Sequence, residues 1–168
     1  MGDRAPLSLV RALALGVPAA LLAGAYIGQY LFDLYPCEMC WWQRYPHFAA
    51  IGLALMGVIA RPKRFWFGLA ALSILSSGLI GAFHAGVEYG WWEGLTACSS
   101  PVAMGSGDPL EAVLNAPLVR CDDVQWSLFG ISLAGWNFLI STAAAVTIIG
   151  LLFRGAAGRS GARQRTLS

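Results

Sequence analysis

Three stretches of the chain run without a charged side chain for long enough to cross a bilayer as helices: Leu13 to Leu31, Phe65 to Phe83 and Leu128 to Phe153. Spanning roughly 30 Å of hydrocarbon takes about 18 or more such residues. A fourth run, Phe48 to Ala60, has only 13 residues and reaches about 20 Å at 1.5 Å per residue. Extending it back to Trp41 gives 20 residues but carries Gln43, Arg44 and His47 into the helix, where polar groups beside lipid are costly. Those three side chains therefore need partners. The expected architecture is all-α, a four-transmembrane-helix bundle in one membrane domain over 1–168. Its helices are expected at about 10–32, 41–60, 65–84 and 127–153, with outer loops at about 33–40 and 85–126 and a basic tail at 154–168. Between helices two and three, Arg61-Pro62-Lys63-Arg64 forms a tight connection, because proline breaks the helix and the charges exclude lipid.

Composition supports a lipid-solvated chain: 57% of residues are hydrophobic, 12% are charged and the mean hydropathy is +0.61. No basic cluster outside the tail supports nucleic-acid binding. Orientation follows from the cations, which accumulate in short cytoplasmic connections. Arg4, Arg11, Arg61, Lys63, Arg64, Arg154, Arg159, Arg163 and Arg165 fall on one side, and only Arg44 and Arg120 fall opposite. Both chain ends are thus expected in the cytoplasm and both longer loops outside. In a bacterium this is a multi-pass inner-membrane protein whose outer loops face the periplasm, where disulfides persist. A cleaved leader is the competing reading of the first segment, since Arg4 and Arg11 precede an apolar run and Ala23-Gly24-Ala25 resembles a cleavage site. The run continues through Ile27 and Leu31, which favours a span.

All four cysteines, Cys37, Cys40, Cys98 and Cys121, fall on the outer side. Cys37 and Cys40 follow Pro36, which suits the start of a helix. Free amides and the helix dipole there favour a thiolate, the species that attacks disulfides. Arg44 lies one turn beyond Cys40, so its guanidinium can approach the Cys40 sulfur or a polar acceptor docked beside it. A Cys-x-x-Cys pair also occurs in zinc sites and haem attachment. Trp41 stands where the haem motif needs histidine, and a four-cysteine zinc site would have only half of the usual doubled knuckle. Trp41, Trp42, Trp91 and Trp92 read as interfacial anchors or as flat surfaces for a ring. His84 and Glu88, four apart, relay a proton or satisfy each other. His47 is expected to point to a neighbouring helix or the interface, and Pro46 to open a kink beside Cys40 and Arg44. In the long loop, Asp108-Pro109 followed by Leu110, Val113 and Leu114, with Pro117 as a stop, predicts a short amphipathic helix on the membrane surface. Ser99-Ser100-Pro101 and Gly105-Ser106-Gly107 read as turns.

Cys37-Glu38-Met39-Cys40 followed by Gln43-Arg44-Tyr45-Pro46 resembles the quinone-reactive motif of the disulfide-bond formation protein B (DsbB) family. Phe83-His84-Ala85-Gly86-Val87-Glu88 before Trp91-Trp92 and Cys98 is similar to that family too, as is Cys121 with Gln125-Trp126, Gly130, Ser132, Trp136 and Asn137. The resemblance covers about Tyr30 to Asn137. It implies a thiol:quinone oxidoreductase that reoxidises a periplasmic thioredoxin-fold dithiol oxidase (DsbA-like) and passes two electrons to a membrane quinone, ubiquinone or menaquinone. It implies that Cys98 forms the mixed disulfide with the partner, that Cys121 then attacks Cys37, and that Cys40 engages the quinone with Arg44 beside it. A third-helix histidine near the quinone makes His84 a further candidate. Such oxidases are themselves strongly oxidising, near about −120 mV, and the DsbA–DsbB–quinone system is known to keep the periplasm oxidising. Vitamin K epoxide reductase-like proteins are the rival enzyme class, but there the loop pair precedes the Cys-x-x-Cys. A membrane scaffold or metal-binding module with structural disulfides is the non-catalytic alternative.

Overall fold

The computed structural model describes residues 4–95 and 119–165, with side chains over 7–95 and 119–154. Among these residues it has four helices: α1 (Arg4–Leu31), α2 (Glu38–Ile59), α3 (Lys63–Glu88) and α4 (Leu133–Arg165). The segments Leu7–Leu31, Lys63–Glu88 and Leu133–Arg154 are long and apolar enough to cross a membrane. Helix α2 has the length, but Gln43, Arg44, Pro46 and His47 interrupt its apolar run. Cys98, the expected amphipathic helix from Asp108 to Pro117 and the turns near Ser99 and Gly105 lie outside the described residues.

The helices form a ring in which α3 packs chiefly on α2 and α4, and α1 closes the bundle against the same two. Small side chains let them approach. Ala14 of α1, Ala50 and Ala54 of α2, Ala70 and Ala71 of α3 and Ala145 of α4 are buried around Phe67, Ile74 and Ile148. This is the composition expected where lipid already solvates the outward faces, so that association rests on close van der Waals packing instead of a hydrophobic drive.

Several boundaries depart from the sequence pattern: α1 begins at Arg4, ahead of the expected residue 10, and α4 runs on to Arg165 through the expected tail. Helix α3 continues past residue 84 to Glu88, which keeps His84 and Glu88 on one helical face. The last helix starts at Leu133 instead of 127, because Ser127–Leu128 (β1) and Ile131–Ser132 (β2) pair as a small antiparallel hairpin. Phe129 and Gly130 at its tip have φ of 55° and 76°, the pair of left-handed conformations of a type I′ two-residue hairpin turn. Leu128, Phe129 and Ile131 read as apolar continuity with the helix, and the Gly130 turn signal is hidden inside that run. The Tyr89 hydroxyl fastens the hairpin to α3, donating to the Gly130 carbonyl at 2.9 Å and accepting from the Ser132 amide at 2.8 Å.

Candidate active site

Pro36 leaves the chain extended, and Cys37 (φ −73°, ψ 175°) becomes the N-cap of α2, its sulfur accepting the Cys40 amide at 3.3 Å. One helical turn then brings the Cys40 thiol back over Cys37, with the two sulfurs 2.9 Å apart. Both are free thiols. The hydrogen bond from Cys40, reinforced by His84 and the helix-end amide, outweighs burial and holds the Cys37 thiol far below its ordinary value of 9.0, at about 5. Cys37 is therefore a thiolate at neutral pH.

A second buried cluster surrounds this pair. Cys37, Met39, Val87 and Cys121 pack together, with Cys40, Phe83 and Val119 against them. Cys121 is fully buried and disulfide-bonded. The sulfurs of Cys37 and Cys121 and a ring nitrogen of His84 all lie within 4.8 Å of one another. Three such atoms suit a metal only when both sulfurs are thiolates, and here Cys121 is committed to a disulfide. A free thiolate held against a disulfide sulfur is instead the arrangement of thiol exchange.

His84 sits at the hub of this cluster. Its Nε2 is 3.6 Å from Cys37 Sγ, 3.2 Å from the Cys121 carbonyl and 3.8 Å from Glu88 Oε1. The expected His84–Glu88 pairing is thus present, and the histidine also reaches both cysteines. Arg44 is buried and does not snorkel: it donates to Gln29 Oε1 at 2.7 Å and to the Ala25 carbonyl at 3.3 Å, both on α1. Its guanidinium lies 4.9 Å from the ring centres of both Tyr26 and Trp41. The cation thereby rests over two aromatic rings, its hydrogen bonds directed to α1 and not to the Cys40 sulfur.

His47 meets Asn137 Oδ1 of α4 and the Ser77 hydroxyl of α3, each at 2.9 Å. The Ser77 hydroxyl in turn donates to the Gln43 carbonyl at 2.8 Å. Gln43 completes the polar layer with bonds to Met39, His84 and Asn137. All three awkward side chains of α2 therefore have partners. What the linear pattern does not single out is Asn137 as the common partner of Gln43 and His47, or Tyr26 and Gln29 as the seat of Arg44. The available signal is polar residues at helical spacing inside apolar runs: Gln43 and His47, Asn137 and Ser141.

Of the tryptophans, Trp92 folds back over α3, stacked on Phe83 at 5.7 Å and donating to the Phe83 carbonyl at 2.9 Å. Only a glycine at 86 permits this, since a Cβ there would stand 2.0 Å from the indole. Trp91 is exposed, as an interfacial anchor is. Trp41 stacks on Tyr45 as well as facing Arg44.

A cavity of about 460 Å³ opens beside the cysteines between α1, α2 and α4. Its wall is mostly apolar, including Leu22, Ile27, Trp126 and Trp136; Cys37, Cys40, Arg44, His47 and His84 are among its polar groups, and Arg120, Asp123 and Gln125 line it as well. An apolar slot with few convergent polar groups is the usual form of a small-molecule site.

Comparison with known proteins agrees with this geometry. A family described as disulfide bond formation protein DsbB matches residues 8–151. A disulfide bond formation protein B of Verminephrobacter eiseniae is 33% identical, the match covering 97% of this chain and 93% of the relative. Proteins of the same name from an Acidovorax species and an Azoarcus species are 30% and 31% identical, covering 93% and 80% of this chain and 92% and 86% of theirs. No solved structure matches. The matched segment holds α2, α3, the hairpin and the apolar part of α4, together with all four cysteines. The chain therefore belongs to the disulfide bond formation protein DsbB family.

Proposed function

We propose that this protein is an inner-membrane thiol:quinone oxidoreductase that reoxidises a periplasmic, DsbA-like dithiol oxidase through two exchanging disulfides. All four helices cross the membrane in this reading, with both chain ends in the cytoplasm and the cysteines at the periplasmic face. The observation that carries it is the buried approach, within 4.8 Å, of the free Cys37 sulfur and the disulfide-bonded Cys121 sulfur.

With Cys37 and Cys40 both free, Cys98 is the proposed partner of Cys121. In the forward direction a thiolate of the reduced oxidase attacks Cys98, and Cys121 leaves as a thiolate. Cys121 then attacks Cys37 of the Cys37–Cys40 disulfide, and Cys40 leaves. The oxidase's second thiolate attacks its own mixed-disulfide sulfur, releasing the oxidised partner and Cys98. Cys98 attacks Cys121, restoring the loop disulfide and freeing Cys37. Two electrons and two protons have moved from the partner to the Cys37–Cys40 pair.

Exchange is fastest when the incoming sulfur is a thiolate and the departing one leaves readily. The N-cap amide and the His84 contact stabilise Cys37 as the thiolate released in the last step. A quinone, when bound, supplies a two-electron, two-proton sink. The residues fit one: the cavity is apolar and aromatic-walled, Cys40 opens onto it, and the Arg44 cation is held in its wall to donate to a carbonyl oxygen.

The test is a titration of purified protein with reduced thioredoxin-fold oxidase and ubiquinone or menaquinone, following free thiols and quinone absorbance together. One quinone reduced per partner dithiol oxidised is expected. Cysteines that stay permanently oxidised, with no quinone consumed, refute the reading.

A further inference from the structure

We infer that Gln43 is a positioning residue that locks the neutral His84 ring in the tautomer bearing its hydrogen on Nε2, so that His84 donates a hydrogen bond bridging Cys37 and the Cys121 backbone. Two backbone carbonyls, whose polarity cannot be reversed, force this assignment. At one end, Gln43 Nε2 lies 3.2 Å from the Met39 carbonyl, which only an N–H donor satisfies. That orients the amide, and the same nitrogen is 2.8 Å from His84 Nδ1. Its second hydrogen therefore points at Nδ1, which must be the bare, accepting nitrogen.

At the other end, His84 Nε2 lies 3.2 Å from the Cys121 carbonyl, which again demands a donor. The hydrogen that meets it also faces the Cys37 sulfur at 3.6 Å. The far side of Gln43 is consistent with both. Its Oε1 accepts from Asn137 Nδ2 at 2.8 Å, while Asn137 Oδ1 accepts from His47 Nε2 and the Ser141 hydroxyl, each at 2.9 Å. Turning the Gln43 amide over would set oxygen against the Met39 carbonyl and nitrogen against the Asn137 amide.

The consequence deepens the exchange reading proposed above and rests on it. His84 in this state is not a base that takes the Cys37 proton. It stabilises the Cys37 thiolate by donation, and the same hydrogen tethers the Cys121 backbone beside that sulfur. One side chain on α3 thus couples the helix pair to the loop pair, with its polarity set from α2 and α4. Hydrogen bonds to a charged group are the stronger class.

The test uses full-length protein labelled with 15N-histidine, in membrane mimetic, with Cys37 and Cys40 reduced and without quinone or partner. The chain holds two histidines, so a His47→Asn variant identifies the His84 signals. The expected wild-type spectrum has His84 Nε2 protonated and Nδ1 bare. In Gln43→Met the lock is lost, the two tautomers mix, and Cys37 alkylation by iodoacetamide in mild acid slows by about fivefold, the loss of roughly one hydrogen bond. In Gln43→Glu the carboxylate demands a donor and Nδ1 becomes protonated. A wild-type His84 protonated on Nδ1 overturns the inference even if no variant folds, as does an unchanged tautomer in folded Gln43→Met. Because neither measurement involves quinone or oxidase, its failure is distinct from failure of the exchange activity.

Discussion

The Cys40→Ala variant isolates the contact between the two cysteine pairs. In the intact protein Cys37 can close back on Cys40, 2.9 Å away, which hides any reaction with Cys121. With Cys40 removed, Cys37 loses the largest of the contacts that favour its thiolate and keeps those of His84 and the helix-end amide, and its sulfur faces the Cys121 sulfur within 4.8 Å. One reactive partner confined to a sphere of that radius has an effective concentration of about 4 M. A competing solution thiol, glutathione at about 1 mM, is outnumbered by roughly three to four orders of magnitude on the same reckoning. The buried position of both sulfurs widens that margin. Attack by Cys37 forms a Cys37–Cys121 disulfide and releases Cys98, which iodoacetamide then blocks so that the linkage cannot revert. Non-reducing peptide mass mapping should show Cys37–Cys121 as the dominant species, even with glutathione disulfide and glutathione present. If Cys37 is found instead as a glutathione adduct or alkylated, with the Cys121 disulfide unchanged, the two pairs do not communicate directly and the proposed circuit is wrong.

Two further outcomes follow from the site. Arg44→Met keeps the packing between Tyr26 and Trp41 but removes the charge; the KM for quinone should rise about tenfold to a hundredfold, as for loss of one charged hydrogen bond, while thiol exchange with the partner is unchanged. Equal quinone kinetics in the variant would make Arg44 a purely structural link to α1. The depressed Cys37 thiol, at about 5, predicts the direction of the pH response in reduced protein: the reactive thiolate persists above that value and is lost as pH falls through it. The rate of Cys37 alkylation should therefore be half-maximal near pH 5 and flat from about pH 6 to 8, and a midpoint near that of an ordinary thiol would refute the contribution of the Cys40 hydrogen bond, His84 and the cap.

Arg44 illustrates how far linear reading reaches. Its spacing from Cys40 placed it beside the cysteine pair, and both do line one cavity. Its actual hold on Tyr26, Gln29 and Ala25 is invisible in a spacing within α2, because those partners come from α1. The hairpin at Ser127–Ser132 escaped for the opposite reason: a short turn inside an apolar run leaves the hydropathy of a helix intact, and the Tyr89 clamp that favours the hairpin lies on α3.

Hydrophobic run length determines the helices and the cost of placing Gln43, Arg44 and His47 among them, since hydrocarbon rejects unpaired polar groups whatever the fold. The order and spacing of the cysteines likewise give the resemblance to the family and place Cys37 and Cys40 together at a helix start. Neither pattern states which groups pay for burying the polar layer, nor that Cys121 returns to within reach of Cys37. Those facts depend on α3 standing between α2 and α4, which lets His84 touch both cysteines while Gln43 and Asn137 set its polarity. Contacts between residues 34 to 94 positions apart are properties of the packed bundle, because only packing brings such distant side chains within hydrogen-bond length.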